Sequence, residues 1–190
     1  MKPAKLIIVS APSGSGKTTL VKYLMEQRSD FVFSVSATSR PRRAHETHGI
    51  DYFFLTEEEF RERIARNEFL EWEEVYPGRF YGTLTEQVDL ALEHGKTIVF
   101  DVDVVGGLNI KKHYGNRALA LFIKAPSLDV MEQRLRNRAT DTEQSISNRM
   151  EKAAWELQFA PQFDAVVMND DLTEAKKAIL ERVDRFLETK

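Results

Sequence analysis

A glycine-rich segment near the N-terminus constrains the fold of this chain more than any other feature. The apolar run Leu6–Val9 leads into Ala11-Pro12-Ser13-Gly14-Ser15-Gly16-Lys17-Thr18, and a helical pattern follows. This order of strand, glycine-rich turn and helix is typical of a phosphate-binding loop, in which glycines let backbone N–H groups face phosphate oxygens. The alternative is a flexible Gly/Ser loop with a chance lysine, but it would not explain the strand before the segment or the helix after it. The segment therefore predicts that the chain binds a nucleoside triphosphate.

Two side chains and one departure from the usual pattern define the chemistry expected of this loop. Lys17 would supply a mobile cation for the β- and γ-phosphates, and the Thr18 hydroxyl would bind Mg²⁺. The helix that begins near Lys17 adds unpaired N–H groups and the positive end of its dipole. Ala11 stands where the first glycine is usual, and its Cβ is tolerated there if φ stays negative.

The composition favours a single globular domain without a general polyanion-binding surface. The 190 residues are 42% hydrophobic and 30% charged, which is enough for a core and an ordinary polar surface. The net charge of -3 does not mark the surface as a nucleic-acid binder, so anions should bind at local arginine clusters. There are no cysteines, and neither a signal peptide nor a membrane-spanning segment is expected, which favours the cytoplasm.

Apolar, β-rich runs alternate with helical patterns along most of the chain. This alternation predicts an α/β domain with a parallel sheet. The runs are Leu6–Val9, Phe31–Val35, Thr97–Phe100, Ala118–Ile123 and Ala165–Met168. Helices are expected after Thr56, from about Leu84 to His94, from Ser127, after Thr142 and after Thr173.

The segment between about Ser36 and Thr83 interrupts this alternation. It combines arginines and aromatic residues with many glutamates, and it has short extended pieces at Tyr52–Leu55 and Phe69–Trp72. Interleaved arginines and aromatics could form a nucleic-acid surface, but the glutamates would repel a polyanion. A small lobe that closes over a compact phosphate-bearing ligand fits the segment better.

Seven motifs, in order and with near-family spacing, resemble those of guanylate kinases. They span the chain from about Lys5 to the final helix, whereas a phosphate loop alone would indicate only a superfamily. The motifs are Pro12-Ser13-Gly14-Ser15-Gly16-Lys17-Thr18, Ser34-Val35-Ser36-Ala37-Thr38-Ser39-Arg40, Asp51-Tyr52-Phe53-Phe54, Phe69-Leu70-Glu71-Trp72, Tyr81-Gly82-Thr83, Asp101-Val102-Asp103 and Asn169-Asp170-Asp171-Leu172.

The resemblance implies an α/β fold built on a P-loop kinase core, with a parallel five-stranded sheet flanked by helices. A small mixed α/β GMP-binding lobe and a helical lid would complete a single domain over residues 1–190. The core would comprise residues 1–35, 84–131 and 153–190, the GMP-binding lobe residues 36–83, and the lid residues 132–152.

The resemblance also implies a guanine site whose residue types match one edge of the base. Guanine presents donors at N1 and N2 beside an acceptor at O6. A carboxylate can accept from the donors, and a hydroxyl can donate to O6. Adenine would leave these groups of the site unpaired. Arginine forks and phenol hydroxyls suit the monophosphate. The implied GMP-binding residues are Ser36, Arg40, Arg43, Tyr52, Glu71, Tyr81, Thr83 and Asp103.

Alternative interpretations exist for several of these residues. Without the resemblance, Glu71 would be taken for a solvated surface residue, and Tyr52 and Tyr81 for half-buried core aromatics. Either Arg42 or Arg43 could be the second phosphate arginine, and the spacing from Glu46 and from Tyr52 favours Arg43.

The ATP site, the metal ligands and the catalytic cations follow from the same resemblance. Asp101 ends an apolar strand and would bind Mg²⁺ together with Thr18, although a strand-end turn residue is the alternative. Arg138 and Arg149 would close with the lid on the transferring phosphoryl group, unless they belong to a solvated helical surface. The expected catalytic residues are Lys17, Arg40, Arg138 and Arg149. The expected ATP-binding residues are Ala11, Pro12, Ser13, Gly14, Ser15, Gly16, Lys17, Thr18, Thr19 and, beside adenine, Asn169.

The implied activity is transfer of the γ-phosphoryl group of ATP, with Mg²⁺, to GMP and also to dGMP. No nucleic-acid or membrane partner is expected, and both a monomer and a homo-oligomer are compatible with the sequence. Two other functions are considered: an inactive guanylate-kinase-like scaffold that binds phosphorylated partners, and a P-loop kinase for another small acceptor, such as a ribose bisphosphate. The intact Gly16-Lys17-Thr18 argues against the first, and Glu71 and Thr83 argue against the second.

Overall fold

The computed structural model describes residues 4–137 and 142–189, so Arg138 lies outside the described residues. The strands are β1 (Leu6–Ser10), β2 (Phe31–Phe33), β3 (Ala37–Thr38), β4 (Phe53–Phe54), β5 (Phe69–Tyr76), β6 (Arg79–Leu84), β7 (Thr97–Asp101), β8 (Ala118–Lys124) and β9 (Ala165–Met168). The helices are α1 (Lys17–Gln27), α2 (Glu57–Ala65), α3 (Thr85–Glu93), α4 (Val104–Tyr114), α5 (Leu128–Asn137), α6 (Glu143–Glu156) and α7 (Leu172–Glu188), with 3₁₀ turns at Gly115–Arg117 and Leu157–Gln162.

Five parallel strands form the larger sheet, in the order β2-β7-β1-β8-β9. Successive side chains of β1 face opposite sides of this sheet, so Ile7 and Val9 enter one core while Leu6 and Ile8 enter another. Helices α1 and α7 cover the first side, and α3 and α4 cover the second. Because both faces are covered, β1 is buried along its whole length and its sequence is continuously apolar. The predicted parallel five-stranded core is confirmed.

The carboxyl ends of the parallel strands bring three polar segments to one edge of the sheet. Ser10 ends β1 and leads into the glycine-rich loop, Asp101 ends β7, and Asn169 follows β9. The register pairs Val9 with Asp101, which places this carboxylate beside the start of the loop. Ligands of parallel α/β sheets bind outside this edge, so the fold positions the site here.

A smaller sheet, in the order β4-β3-β6-β5, builds a separate lobe from the segment that interrupts the alternation. Its core includes the aromatic ring of Phe60 from α2, which stacks on Phe69 at 4.2 Å and on Phe80 at 5.3 Å. Thr56 and Glu59 form the capping box that starts α2, as the sequence predicts. The lobe is therefore held together by its own apolar contacts.

Two helix starts differ from the sequence prediction. Helix α4 is not predicted, because Val104-Val105-Gly106-Gly107 combines β-branched residues with glycines of low helix propensity. Helix α7 begins at Leu172 with Asp171 as its N-cap, whereas the sequence favours a start after Thr173. None of the helices within the described ranges is long and apolar enough to cross a membrane.

Candidate active site

The glycine-rich loop adopts a backbone that only glycine tolerates at two positions. Gly14 and Gly16 have φ values of 85° and 88°, in the left-handed region. A Cβ at Gly14 would lie 2.8 Å from the Met131 carbonyl oxygen, and one at Gly16 would collide with the Asn169 side-chain amide. Ala11 is not among the residues with positive φ, so its Cβ is accommodated as expected. The loop conformation is thus fixed by packing on both sides.

Asn169 supports the loop from the carboxyl end of β9. Its side chain is 5% exposed, and Nδ2 donates to the Ser15 carbonyl oxygen at 2.7 Å. The Asn169 carbonyl oxygen in turn accepts from Arg134 Nη2 at 3.0 Å. The sequence prediction assigned Asn169 to adenine, whereas in the structure its amide is committed to the backbone of the phosphate loop. This support depends on the fold, so no local sequence pattern indicates it.

Lys17 and Asp101 meet beneath the loop. Lys17 Nζ lies 2.6 Å from Asp101 Oδ1 and donates to the Val102 carbonyl oxygen at 2.9 Å. A cleft of about 470 Å³, here called the loop cleft, is lined by the loop together with Thr18, Asp101 and Arg149. The ammonium therefore lies at the wall of a cleft large enough for phosphate groups.

The donor set of the loop cleft suits Mg²⁺. The Thr18 hydroxyl and the Asp101 carboxylate are hard oxygen donors that line the same cleft. No group of three or more His, Cys, Asp or Glu side chains that could enclose a metal occurs within residues 4–137 and 142–189. Mg²⁺ commonly binds through one or two protein oxygens and completes its coordination with water and substrate phosphates. The residues present therefore fit this ion when a nucleotide accompanies it.

A second depression lies on the other side of the loop. This side cleft, of about 340 Å³, is lined by Gly14, Gly16, Thr19, Arg134, Asn137, Asn169, Asp170 and Leu172. It shares both loop glycines with the loop cleft, so one ligand could extend from one cleft into the other around the loop. The predicted residues Thr19 and Asn169 are brought together here.

A third cleft, here called the lobe cleft, lies between the small lobe and the carboxyl ends of the larger sheet. Its volume is about 300 Å³, and five of the predicted GMP-binding side chains line it: Ser36, Tyr52, Glu71, Tyr81 and Asp103. The rings of Tyr52 and Tyr81 meet edge to face at 6.0 Å. Burial raises the pKa of the Tyr52 phenol, so its hydroxyl stays protonated and able to donate.

Glu71 is held at the wall of the lobe cleft by Thr83. Thr83 Oγ1 donates to Glu71 Oε1 at 2.6 Å, while Gly106 approaches Oε2 so closely that a Cβ there would lie 2.7 Å away. Burial raises the pKa of Glu71 to about 7. Glu71 is therefore not a solvated surface residue. Thr83 differs from the prediction: it is 1% exposed and does not line the cleft, because its hydroxyl is turned towards Glu71.

Arg40 is oriented by a carboxylate that the sequence analysis did not assign. Arg40 donates to both oxygens of Glu46, at 2.7 Å and 2.5 Å, and its guanidinium stacks over the Tyr52 ring at 4.9 Å. Glu46 is 6% exposed, and the hydrogen bond from Arg40 lowers its pKa to about 2. The pair thus fixes an arginine fork against a residue of the lobe cleft.

Arg43 is placed differently from the prediction. Its backbone N–H donates to Glu46 Oε2 at 2.8 Å, but its side chain is exposed and lines neither the loop cleft nor the lobe cleft. Arg42 Nη1 donates to the Glu46 carbonyl oxygen at 3.2 Å. Both candidates for the second phosphate arginine therefore lie beside Glu46, because the chain turns around this residue.

Four further ionisable side chains line the loop cleft or the lobe cleft without having been predicted: Glu73, Tyr76, Lys152 and Glu156. A hydrogen bond with Asp103, together with burial, raises the pKa of Glu73 to about 7. Asp103 also accepts from the Gly106 N–H at 2.8 Å as the N-cap of α4. Burial opposes ionisation of Asp103, but hydrogen bonds from Glu73 and Gly106 bring its pKa below the usual value.

Helices α5 and α6, which the sequence assigns to a lid, direct their arginines to different surfaces. Arg149 Nη1 donates to the Ser13 hydroxyl of the loop at 3.1 Å. Arg136 instead pairs with Glu132 at 2.8 Å and with Glu143, on the outer face. Arg134 turns to the Asn169 carbonyl oxygen. Of the two predicted lid arginines, the structure therefore describes Arg149 alone and brings it to the loop.

A phosphate loop at the centre of a parallel sheet, joined to a lobe with a second cleft, defines the molecule as a P-loop nucleotide-binding protein. The chain belongs to the guanylate kinase family, whose family model matches residues 3–189. It is similar to the guanylate kinase of Bacteroides fragilis, with 58% identity over 97% of this chain and 90% of the relative. The guanylate kinase of Salinibacter ruber is 45% identical over 98% of this chain and 99% of the relative.

The fold agrees with this membership. A crystal structure of guanylate kinase from Anaplasma phagocytophilum matches with a TM-score of 0.77 and 26% identity, over 100% of this chain and 89% of that chain. The expected family, the α/β fold and an enzyme of the nucleoside monophosphate kinase class are confirmed.

Proposed function

We propose that the chain transfers the γ-phosphoryl group of MgATP to GMP, giving ADP and GDP, and that it also accepts dGMP. One observation carries this proposal: the loop cleft and the lobe cleft share a border. A donor phosphate on the loop and an acceptor phosphate from the lobe would meet at this border. It is lined from both sides by Tyr52, Tyr76, Asp101, Val102, Asp103 and Lys152.

Guanine would be recognised in the lobe cleft by hydrogen bonds that adenine cannot form. The Glu71 carboxylate can accept from N1–H and N2–H together, and Thr83 fixes the orientation of that carboxylate. With the Thr83 hydroxyl turned away, the Ser36 hydroxyl is the one that lines the cleft and could donate to O6. Discrimination of roughly 10⁴-fold is typical when the wrong base leaves such polar groups unpaired. dGMP presents the same base edge and the same phosphate.

The monophosphate would bind between Arg40 and the two phenols. Arg40 is already held by Glu46 and stacked on Tyr52, so little side-chain freedom is lost when a phosphate arrives. Tyr52 and Tyr81 line the same cleft, and their hydroxyls could donate to the phosphate. Arg43 would have to turn inward from its exposed position to reach the phosphate.

The transfer itself needs no general base. A phosphate monoester has a second pKa of about 6, so the attacking oxygen is largely ionised at neutral pH. The barrier lies in bringing two anions into line, and Lys17, Arg40 and Arg149 would neutralise their charge. The position of Lys17 at the loop cleft and the hydrogen bond from Arg149 to Ser13 support these roles. Arg138 is proposed for the same role from the sequence alone. Thr18 and Asp101 would hold Mg²⁺, which when bound neutralises charge on the β- and γ-phosphate oxygens.

A coupled assay of ADP release tests the proposal against its rivals. The acceptors are GMP, dGMP, AMP, UMP, CMP, a ribose bisphosphate and buffer alone. We expect turnover with GMP and dGMP only, because the other acceptors leave Glu71 without its donors. No turnover with any acceptor would support the scaffold function, and turnover with the ribose bisphosphate would support the other P-loop kinase.

A further inference from the structure

Lys152 of α6 is the only lysine or arginine among the described residues that line the lobe cleft. Four carboxylates line the same cleft: Glu71, Glu73, Asp101 and Asp103. Lys152 forms none of the ion pairs found within the described ranges. A single ammonium group thus faces a strongly acidic wall without being bound to it, and the mechanism above assigns it no role.

The position of Lys152 links the two substrate clefts. It lines both of them, and it follows Arg149 by three residues on α6, so the two side chains share one face of the helix. Arg149 is directed to Ser13 of the phosphate loop at 3.1 Å. One helix therefore presents one cation to the donor site and another to the acceptor site.

Glu73 is the counterpart of Lys152 on the small lobe. It belongs to β5 and lines the lobe cleft, where its carboxyl group is hydrogen-bonded to Asp103. The positive charge of Lys152 lowers the pKa of Glu73, of Asp103 and of Glu156, although it is not the largest influence on any of them. The ammonium group is thus within electrostatic reach of these carboxylates without contacting them.

We propose that Lys152 and Glu73 are positioning residues, which pair across the lobe cleft when the acceptor nucleotide is bound. The second N2–H of guanine would donate to Asp103 and displace Glu73, whose proton would pass to solvent. The bound nucleotide would then exclude water from around the Glu73 carboxylate and the Lys152 ammonium group. The pair would draw α6 towards the lobe and hold Arg149 over the donor phosphates. This inference rests on the proposed function, since it requires GMP in the lobe cleft.

A double-mutant cycle tests the pair, using Lys152→Met, Glu73→Gln and the double variant. Loss of an exposed ion pair usually changes an equilibrium less than about fivefold. Loss of a water-excluded pair should have a larger effect, so each single variant should have a kcat/KM for GMP that is lower by about tenfold. We expect the double variant to be no worse than either single variant, with most of the loss in kcat. Multiplicative losses would overturn the proposal. Lys177→Met and Glu151→Gln, exposed and outside both clefts, are the matched controls and should stay within about twofold of the unmodified protein.

A measurement of the distance between α6 and α2 distinguishes a role of Lys152 in positioning α6 from a local effect of Lys152 on the bound base. The chain has no cysteine, so spin labels can be attached at Ser147→Cys on α6 and Glu58→Cys on α2, both exposed. GMP with a non-hydrolysable ATP analogue should shorten the label separation, and Lys152→Met should remove much of that shortening. An unchanged shortening in Lys152→Met would overturn the proposal. If the unmodified protein releases no ADP with GMP, the proposed function itself is wrong. If it releases ADP but the losses in the single variants multiply in the double variant, only the proposed pairing of Lys152 with Glu73 is wrong.

Discussion

Substitution of Glu71 by glutamine should change both the affinity for GMP and its pH dependence. A charged hydrogen bond is worth about 1.5–3 kcal/mol, and the glutamine NH₂ group would also face the donors of guanine. The expected loss in kcat/KM for GMP at pH 8 is therefore about 10- to 150-fold, while ATP binding measured without GMP stays unchanged.

The pH profile of the unmodified protein gives an independent check on the same residue. Burial raises the pKa of Glu71 to about 7, and only its carboxylate can accept from N1–H and N2–H. Affinity for GMP is therefore full above this pKa and lost as the pH falls through it. The carboxylate fraction changes from about 0.09 at pH 6 to about 0.91 at pH 8, so kcat/KM should rise about tenfold from this residue.

GMP itself titrates near pH 6 through its phosphate, so Glu71→Gln also serves as the reference for the pH profile. The limb near pH 7 should disappear in this variant, while the limb of the phosphate remains. The hydrogen bond with Asp103 and burial also raise the pKa of Glu73 in the same cleft to about 7, so the two profiles are compared with Glu73 replaced by glutamine in both proteins. If the limb near pH 7 then persists in Glu71→Gln, or if ATP binding falls as much as GMP binding, Glu71 does not bind guanine and the argument from burial is wrong.

Three further predictions concern cations of the site and the residues that orient them. Lys17→Met should retain the fold and GMP binding yet nearly abolish phosphoryl transfer in the ADP-release assay, since its charge acts mainly in the transition state. Glu46→Gln should raise KM for GMP by about tenfold in steady-state kinetics, because the fork of Arg40 loses a charged partner. Arg149→Ala should lower kcat by about 10²-fold with little change in KM for GMP or in Tm, whereas Arg136→Ala, on the outer face, should be tolerated.

Each of these predictions has an outcome that would contradict it. Turnover of Lys17→Met within about tenfold of the unmodified protein would refute the assignment of the loop. An unchanged KM in Glu46→Gln would mean that Arg40 does not need its partner. A lower Tm in Arg149→Ala, or a catalytic loss in Arg136→Ala instead, would place the lid arginines differently.

The parts of the fold that sequence reasoning predicted are those encoded by local patterns. The apolar run Leu6–Val9 and the capping box at Thr56 are read directly from neighbouring residues, and the structure contains the strand and the helix they predict. Helix α4 was missed because Gly106 and Gly107 make its first turn resemble a loop, although Asp103 before them is a good N-cap.

The site was predicted less completely, because its supporting contacts join distant parts of the chain. Motifs brought Ser36, Glu71 and Asp103 to one cleft, as expected. Whether a side chain touches the cleft or orients a neighbour depends on which way it faces in the folded lobe. Thr83 and Asn169 are both turned towards protein partners, and no spacing along the sequence could have revealed this.

The order in which the chain is synthesised determines when the hydrogen bond between Asn169 and Ser15 can form. Residues 11–18 leave the ribosome early, but the amide that holds their backbone is added only with residue 169, about 8–30 s later at common elongation rates. A nucleotide stabilises only the conformation that binds it, so ATP can give a nascent chain little assistance before β9 joins the sheet. A chain that ends before residue 169 therefore lacks the hydrogen bond that holds the Ser15 carbonyl group of the phosphate loop.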